Sequence, residues 1–159
     1  MVGRKKAEVT LPEDDCILIT REFDAPKHLV FRAWTEPGLI ERWWGGERGE
    51  VKSVVVDLRV GGTWRCVMVL DDGSEAAFRG EYREVVPDER IVSTEVYEGA
   101  PGAQALNTVT LEERDGRTML RLLVEYASKE ARDAHLASGM ETGMQEGMDS
   151  LEEVVLALS

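Results

Sequence analysis

The sequence contains no apolar run near the ~20 residues that cross a bilayer, so a helical membrane protein is not expected. The basic opening "GRKK", Gly3 to Lys6, is not followed by the apolar stretch of ~7–15 residues that a secretory signal needs. Basic side chains are outnumbered 31 to 19, and the formal charge is −12. Such a field repels phosphate backbones and anionic lipid, which argues against nucleic acid or a membrane surface as partner. Only Cys16 and Cys66 are present, far apart and in no Cys-x-x-Cys motif. Both read as small hydrophobes in a reducing compartment, and the expected location is the cytoplasm. The two histidines, His28 and His135, lie among polar neighbours and read as surface residues rather than bases or metal ligands. No nucleophile elbow, His-Glu-x-x-His or phosphate-cradling glycine loop occurs, and "VGGTW" reads as a turn between strands. No catalytic residue, metal or cofactor is expected.

A chain of 159 residues, 43% hydrophobic, is enough for one domain with a substantial core. Residues 1–15 are polar and aperiodic and read as a loose tail, leaving 16–159 as a single domain. A β-rich run, Cys16 to Phe23, ends at Asp24-Ala25-Pro26, a helix start with Asp24 as cap candidate. Leu29, Val30, Ala33 and Trp34 then recur at helical spacing. Thr35-Glu36-Pro37 restarts a second short helix with Leu39, Ile40 and Trp43, which Gly45-Gly46 would end. Six β segments follow: Val51–Leu58, Gly62–Leu70, Glu75–Val85, Arg90–Glu98, Ala105–Glu113 and Thr118–Tyr126. Turn residues separate them: Gly61-Gly62, Asp71-Asp72-Gly73, Pro87-Asp88 and Asp115-Gly116. Short links between successive strands predict an antiparallel meander. From Ser128 the period becomes helical again, first as a short capped helix, then as a long amphipathic one from Met140.

Alternation gives the sheet one apolar face, with Trp64, Cys66, Met68 and Leu70 in one strand and Phe78 and Tyr82 in the next. Leu120, Leu122 and Val124 form a similar row. The last long helix is the natural cover. Its surface carries Gly139, Gly143 and Gly147 beside Met140, Met144 and Met148. Each interior glycine costs about 1 kcal/mol of helix stability, so the pattern reflects close packing, a local break, or a thin and adaptable wall. The adjacent tryptophans of "ERWWGGERGE", Trp43 and Trp44, cannot easily share one core, because neighbouring residues on a helix point about 100° apart.

The segments "REFDAPKHLVFRAWTEPGLIERWWG", "DLRVGGTWRCVM", "DDGSEAAFRGEYREVVPDERIVSTEVY" and "YASKEARDAHLASGMETGMQEGMDSLEEVV" occur in that order. Over residues 16–158 the chain resembles bacterial members of the family named for activators of the 90-kilodalton heat-shock-protein ATPase, within the START-like, helix-grip superfamily. The resemblance implies an α+β helix-grip fold: a curved antiparallel sheet of six or seven strands around a long carboxy-terminal helix, with two short helices after the first strand. It also implies a cavity between sheet and helix with "WWGG" near its mouth. Relatives often carry a tryptophan where this chain has Met148 and glycines, which changes the expected volume. The chain lacks the additional domain of the eukaryotic cochaperone, so a chaperone is a weaker candidate partner.

The leading expectation is non-catalytic binding of a small, largely apolar molecule by Trp43, Trp44, Trp64, Met68, Phe78, Tyr82, Leu122, Met144 and Met148. One alternative is a chaperone-associated module presenting Trp44 in an apolar patch rimmed by Glu41, Arg42, Glu47 and Arg48. The other is a cyclase or hydrolase using Glu95 or Tyr82. Glu95 shares a face with Ile91, Ser93 and Tyr97 and would project inward, whereas Arg65 would point outward. Apolar sheet edges leave room for a homodimer.

Overall fold

Turn chemistry sets the topology. Asp115 and Gly116 adopt φ of 54° and 76°, the left-handed pair of a two-residue hairpin turn. A computed structural model of the protein describes residues 6–44, 49–99, 102 and 104–158. Its elements are β1 (Glu8–Thr10), β2 (Cys16–Phe23), α1 (Lys27–Thr35), α2 (Pro37–Trp43), β3 (Gly49–Val56), β4 (Thr63–Leu70), β5 (Glu75–Val86), β6 (Arg90–Tyr97), β7 (Gln104–Arg114), β8 (Arg117–Glu125), α3 (Lys129–Ala137) and α4 (Met140–Leu158). The eight strands form one antiparallel sheet in the order β1-β2-β8-β7-β6-β5-β4-β3. β3 to β8 are the expected meander. β2 pairs with β8, so the chain must cross from that side to β3 at the far edge, and α1 and α2 make the crossing.

The extra strand comes from the segment expected to be a loose tail. Glu8–Thr10 pairs with Leu18–Thr20, and Ala7 exchanges two hydrogen bonds with the Gln145 amide of α4, 3.1 and 2.9 Å long. Short polar strands carry little periodic signal, which is why composition missed it. Asp24 does not cap α1 either. The helix begins at Lys27, whose N–H donates to Glu113 Oε1 of β7 at 2.8 Å, while Asp24 meets Arg117. Ser128 does cap α3, accepting from Ala131 N–H, and Gly139 at φ 82° separates α3 from α4. The Gly45-Gly46 helix stop lies outside the described residues.

The core lies between α4 and the β2–β8–β7 half of the sheet. Ile17, Phe23, Leu120, Leu151 and Val155 are fully buried there, with Met148 and Val154 beside them. Arg21 of β2 reaches from this interior to Asp149 at 3.0 Å and Glu152 at 3.3 Å on α4, fastening helix to sheet. Both sheet edges are modified. β1 is three residues long, and β3 has a bulge between Val51 and Ser53 with Lys52 exposed between them.

Candidate functional site

A cavity opens where α1 and α2 cross the β3–β7 half of the sheet. The helices contribute Trp34, Ile40, Trp43 and Trp44; β3 and β4 contribute Val54, Val56, Trp64 and Cys66. Tyr82 of β5, Ile91, Ser93 and Glu95 of β6, and Asn107 and Val109 of β7 complete it. Room for the centres of water-sized molecules amounts to about 80 Å³. One water needs ~10–15 Å³ on that measure, so several waters or one small organic group fit.

The two adjacent indoles are held differently. Trp43 is buried, donates its Nε1–H to Ala33 O at 2.7 Å, and stacks at a tilt on Trp34, centroids 4.9 Å apart. Trp44 is half-buried and meets Phe78 edge-on at 4.9 Å and Trp64 at 6.5 Å. The second indole is therefore covered by the sheet's own aromatics. Trp64 in turn depends on Gly80, its partner on β5. The Trp64 Nε1–H passes over this residue to Thr94 O, 3.2 Å away. A Cβ on Gly80 would stand 1.8 Å from that oxygen and 2.4 Å from the indole nitrogen. Glycine is required here by close approach. With Trp43 and Trp64 N–H groups both committed to backbone carbonyls, these rings offer the cavity carbon surface.

The polar groups sit on the facing strands. Glu95 Oε1 accepts from Asn107 Nδ2 at 3.2 Å. Burial raises the Glu95 pKa above the ordinary carboxylate value, only partly opposed by that hydrogen bond. Burial also pushes the Tyr82 hydroxyl to about 12. It pushes the Cys66 thiol to about 12 as well, with help from the Glu95 and Glu41 carboxylates. Neither Tyr82 nor Cys66 ionises near neutral pH. Elsewhere Glu13, Asp15 and Cys16 bring ligand atoms within 4.8 Å of one another. The Cys16 thiol is pushed up to about 11 by burial and donates to Asp15, so this cluster offers carboxylates without a thiolate.

Of the residues expected to bind a ligand, Trp43, Trp44, Trp64 and Tyr82 converge on this cavity. Phe78 is one contact removed, between Trp44 and Tyr97. Met68 is buried further along β4, Leu122 pairs with Ile19 and Val109 against the core, and Met144 and Met148 pack into the core from α4. None of these last four lines the cavity, nor does any other residue of α4. The expected position between sheet and terminal helix is thus corrected: α4 packs directly on the sheet, and the crossover helices roof the cavity. Gly147 has a bland role, since a Cβ there would meet only Trp43 O, at 3.9 Å.

Glu95 does project inward, though onto Asn107 rather than a cation. Arg65 points outward to Glu98 at 2.8 Å. His28 and His135 are exposed, the latter bonded to the Tyr126 hydroxyl. Glu41 and Arg42 are exposed, and Glu47 and Arg48 lie outside the described residues. Sequence reasoning did not single out Ser93, Asn107 or the cavity-facing side of Trp34. The signal available was a polar residue in an inward-facing row: Ser93 and Glu95 after Ile91, and Asn107 between Ala105 and Val109.

A curved antiparallel sheet with two crossover helices and a long terminal helix packed on it is a helix-grip domain of the START-like class. Residues 24–155 match the family described as Activator of Hsp90 ATPase homolog 1-like protein, and the chain belongs to that family. A Rhodobacter sphaeroides crystal structure is 28% identical with a TM-score of 0.89, covering 96% of this chain and 99% of that one. A Mycobacterium smegmatis crystal structure is 27% identical, TM-score 0.82, covering 96% and 98%. A Chromobacterium violaceum crystal structure is 28% identical, TM-score 0.76, covering 90% and 98%. No curated protein matches the chain. Among the described residues, no helix is long and apolar enough to cross a membrane.

Proposed function

We propose that the protein binds a small, largely apolar molecule beneath α1 and α2 without transforming it, as a cytoplasmic carrier or sensor. One observation carries this reading: all four tryptophans of the chain line the same cavity. Tryptophan supplies large, rigid apolar contact, and a concave aromatic wall with few polar groups is the usual form of a small-molecule site. Burying ~200 Å² of ligand surface at ~25 cal/mol per Å² gives about 5 kcal/mol before ordering costs, enough for loose binding. Selectivity then falls to Tyr82, Ser93 and Glu95. Native mass spectrometry of protein purified from its own host tests the reading, with tryptophan emission as the solution assay. A bound small molecule that shifts that emission is the expected result. Protein that emerges empty, with emission indifferent to apolar compounds, would reject it.

The family description and the exposed apolar side chains Val55, Leu58 and Val60 favour a second reading, docking on a chaperone. Mixing the protein with a heat-shock ATPase should then change ATP turnover, and the change should vanish in Val55→Asp. Unchanged turnover discards this reading.

A further inference from the structure

The cavity's polar equipment is unbalanced. Among its described lining residues Glu95 carries the one carboxyl, and none of them is basic. The titratable groups around it are Cys66 on β4, Tyr82 on β5 and Tyr126 after β8, with Glu41 on α2 acting on Cys66 and the buried Arg132 of α3 acting on Tyr126. Arg132 is the one positive charge among them; it is engaged by Asp133 and by the Glu13 and Cys16 carbonyls and does not line the cavity. Glu95 Oε1 is engaged by Asn107, while Oε2 accepts a hydrogen bond from no described residue. Glu95 is half-buried, and a carboxylate partly withdrawn from water without a counter-charge is costly.

We propose that the ligand is a small alkylamine in its protonated form, its ammonium on Glu95 Oε2 and its alkyl part among the indoles. This rests on the binding reading above and narrows it to a chemical class. Three observations favour a cation. The indole surfaces offered by Trp43 and Trp64 are carbon, their N–H groups being spent on Ala33 and Thr94, and aromatic carbon surface tolerates and attracts ammonium groups. An N–H-bearing ammonium also fills the free acceptor of Glu95, which a quaternary ammonium does not. The chain's charge of −12 draws cations toward it and repels carboxylate ligands. The size of the cavity suits a headgroup with a short chain. Burial raises the Glu95 pKa and an adjacent ammonium lowers it again, so binding shifts protons from this carboxyl to solvent in the pH range where the empty protein holds them.

The test is a tryptophan-emission titration of the full chain at neutral pH with isopentylamine, its neutral counterpart isopentyl alcohol, and isovalerate. The amine should bind about tenfold more tightly than the alcohol, the size of one charge-assisted hydrogen bond, with isovalerate weakest. In Glu95→Gln the preference for amine should disappear while the alcohol still binds, and in Glu95→Asp it should partly return. Calorimetry in buffers of different ionisation heat, run as a pH series upward from the unfolded carboxyl value of ~4.3, should show proton release with the amine within that series and none with the alcohol, a readout independent of any variant's folding. Alcohol binding equal to or tighter than amine binding overturns the amine assignment while sustaining an apolar carrier. A preference that survives Glu95→Gln overturns it too. If neither compound perturbs emission, the assignment falls, and native mass spectrometry decides separately on the carrier reading.

Discussion

Around α4 the described residues pack into a core, whereas beneath α1 and α2 they border a cavity. On the filled side aliphatic residues from β2, β8 and α4 interlock, and a buried arginine ties helix to sheet. On the open side bulky aromatics from two short helices lean on one another and on β4, leaving space between them and the polar groups of β6 and β7. Short aliphatic side chains at helical and strand periods interdigitate readily. Four indoles fixed by edge hydrogen bonds and stacking do not collapse into whatever space remains. The lesson is that one sheet face can be core at one end and binding wall at the other, according to which helix covers it.

The comparison can be broken first at its filled end. Leu151→Ala should cost about 3–5 kcal/mol by urea denaturation, because a fully buried leucine leaves a cavity, yet ligand response should be unchanged. A small loss would mean that α4 is not the core helix. Gly80→Ala tests the open end: the added methyl must displace Thr94 O or the Trp64 indole, costing about 2–3 kcal/mol and shifting tryptophan emission. An unshifted spectrum would refute the dependence of Trp64 on that glycine. A pH series separates the two halves next. Glu95 keeps its proton in the folded state where the unfolded chain has lost it, since its folded pKa lies above the unfolded value near ~4.3. Its stabilising contribution is complete below the unfolded value and is lost as pH rises to the folded one. Wild-type stability should therefore fall relative to Glu95→Gln across that interval and then run parallel; parallel curves throughout would contradict the burial of this carboxyl. The smallest effect is at the junction of the halves. Gly147→Ala should raise the melting temperature slightly, up to about 1 kcal/mol, because its methyl finds only ordinary contact with Trp43 O. A marked loss would show that α4 needs the closer approach.

Most of the sheet was legible because alternation and turn residues agree: Asp115-Gly116 adopts the hairpin turn its composition announces, and Ser128 and Gly139 bound α3 as their chemistry predicts. Asp24 was misread because proline two residues later allows several helix starts, and a distant glutamate supplies the partner that local reasoning sought nearby. The candidate site was half legible. Tryptophan spacing marked Trp43, Trp44 and Trp64, and strand parity turned Tyr82 and Glu95 inward. Periodicity says which face of an element is covered, not by what. Met144, Met148 and Leu122 were therefore grouped with the tryptophans although none of them lines the cavity.

The treatment of the sheet's margins has a consequence for self-association. A strand three residues long at one border, and a kinked, lysine-bearing one at the other, make poor templates for an incoming backbone. Filament growth by strand addition is thereby discouraged at both ends. Contact between two copies would then fall to exposed side chains such as Val55, Leu58 and Val60 rather than to backbone pairing.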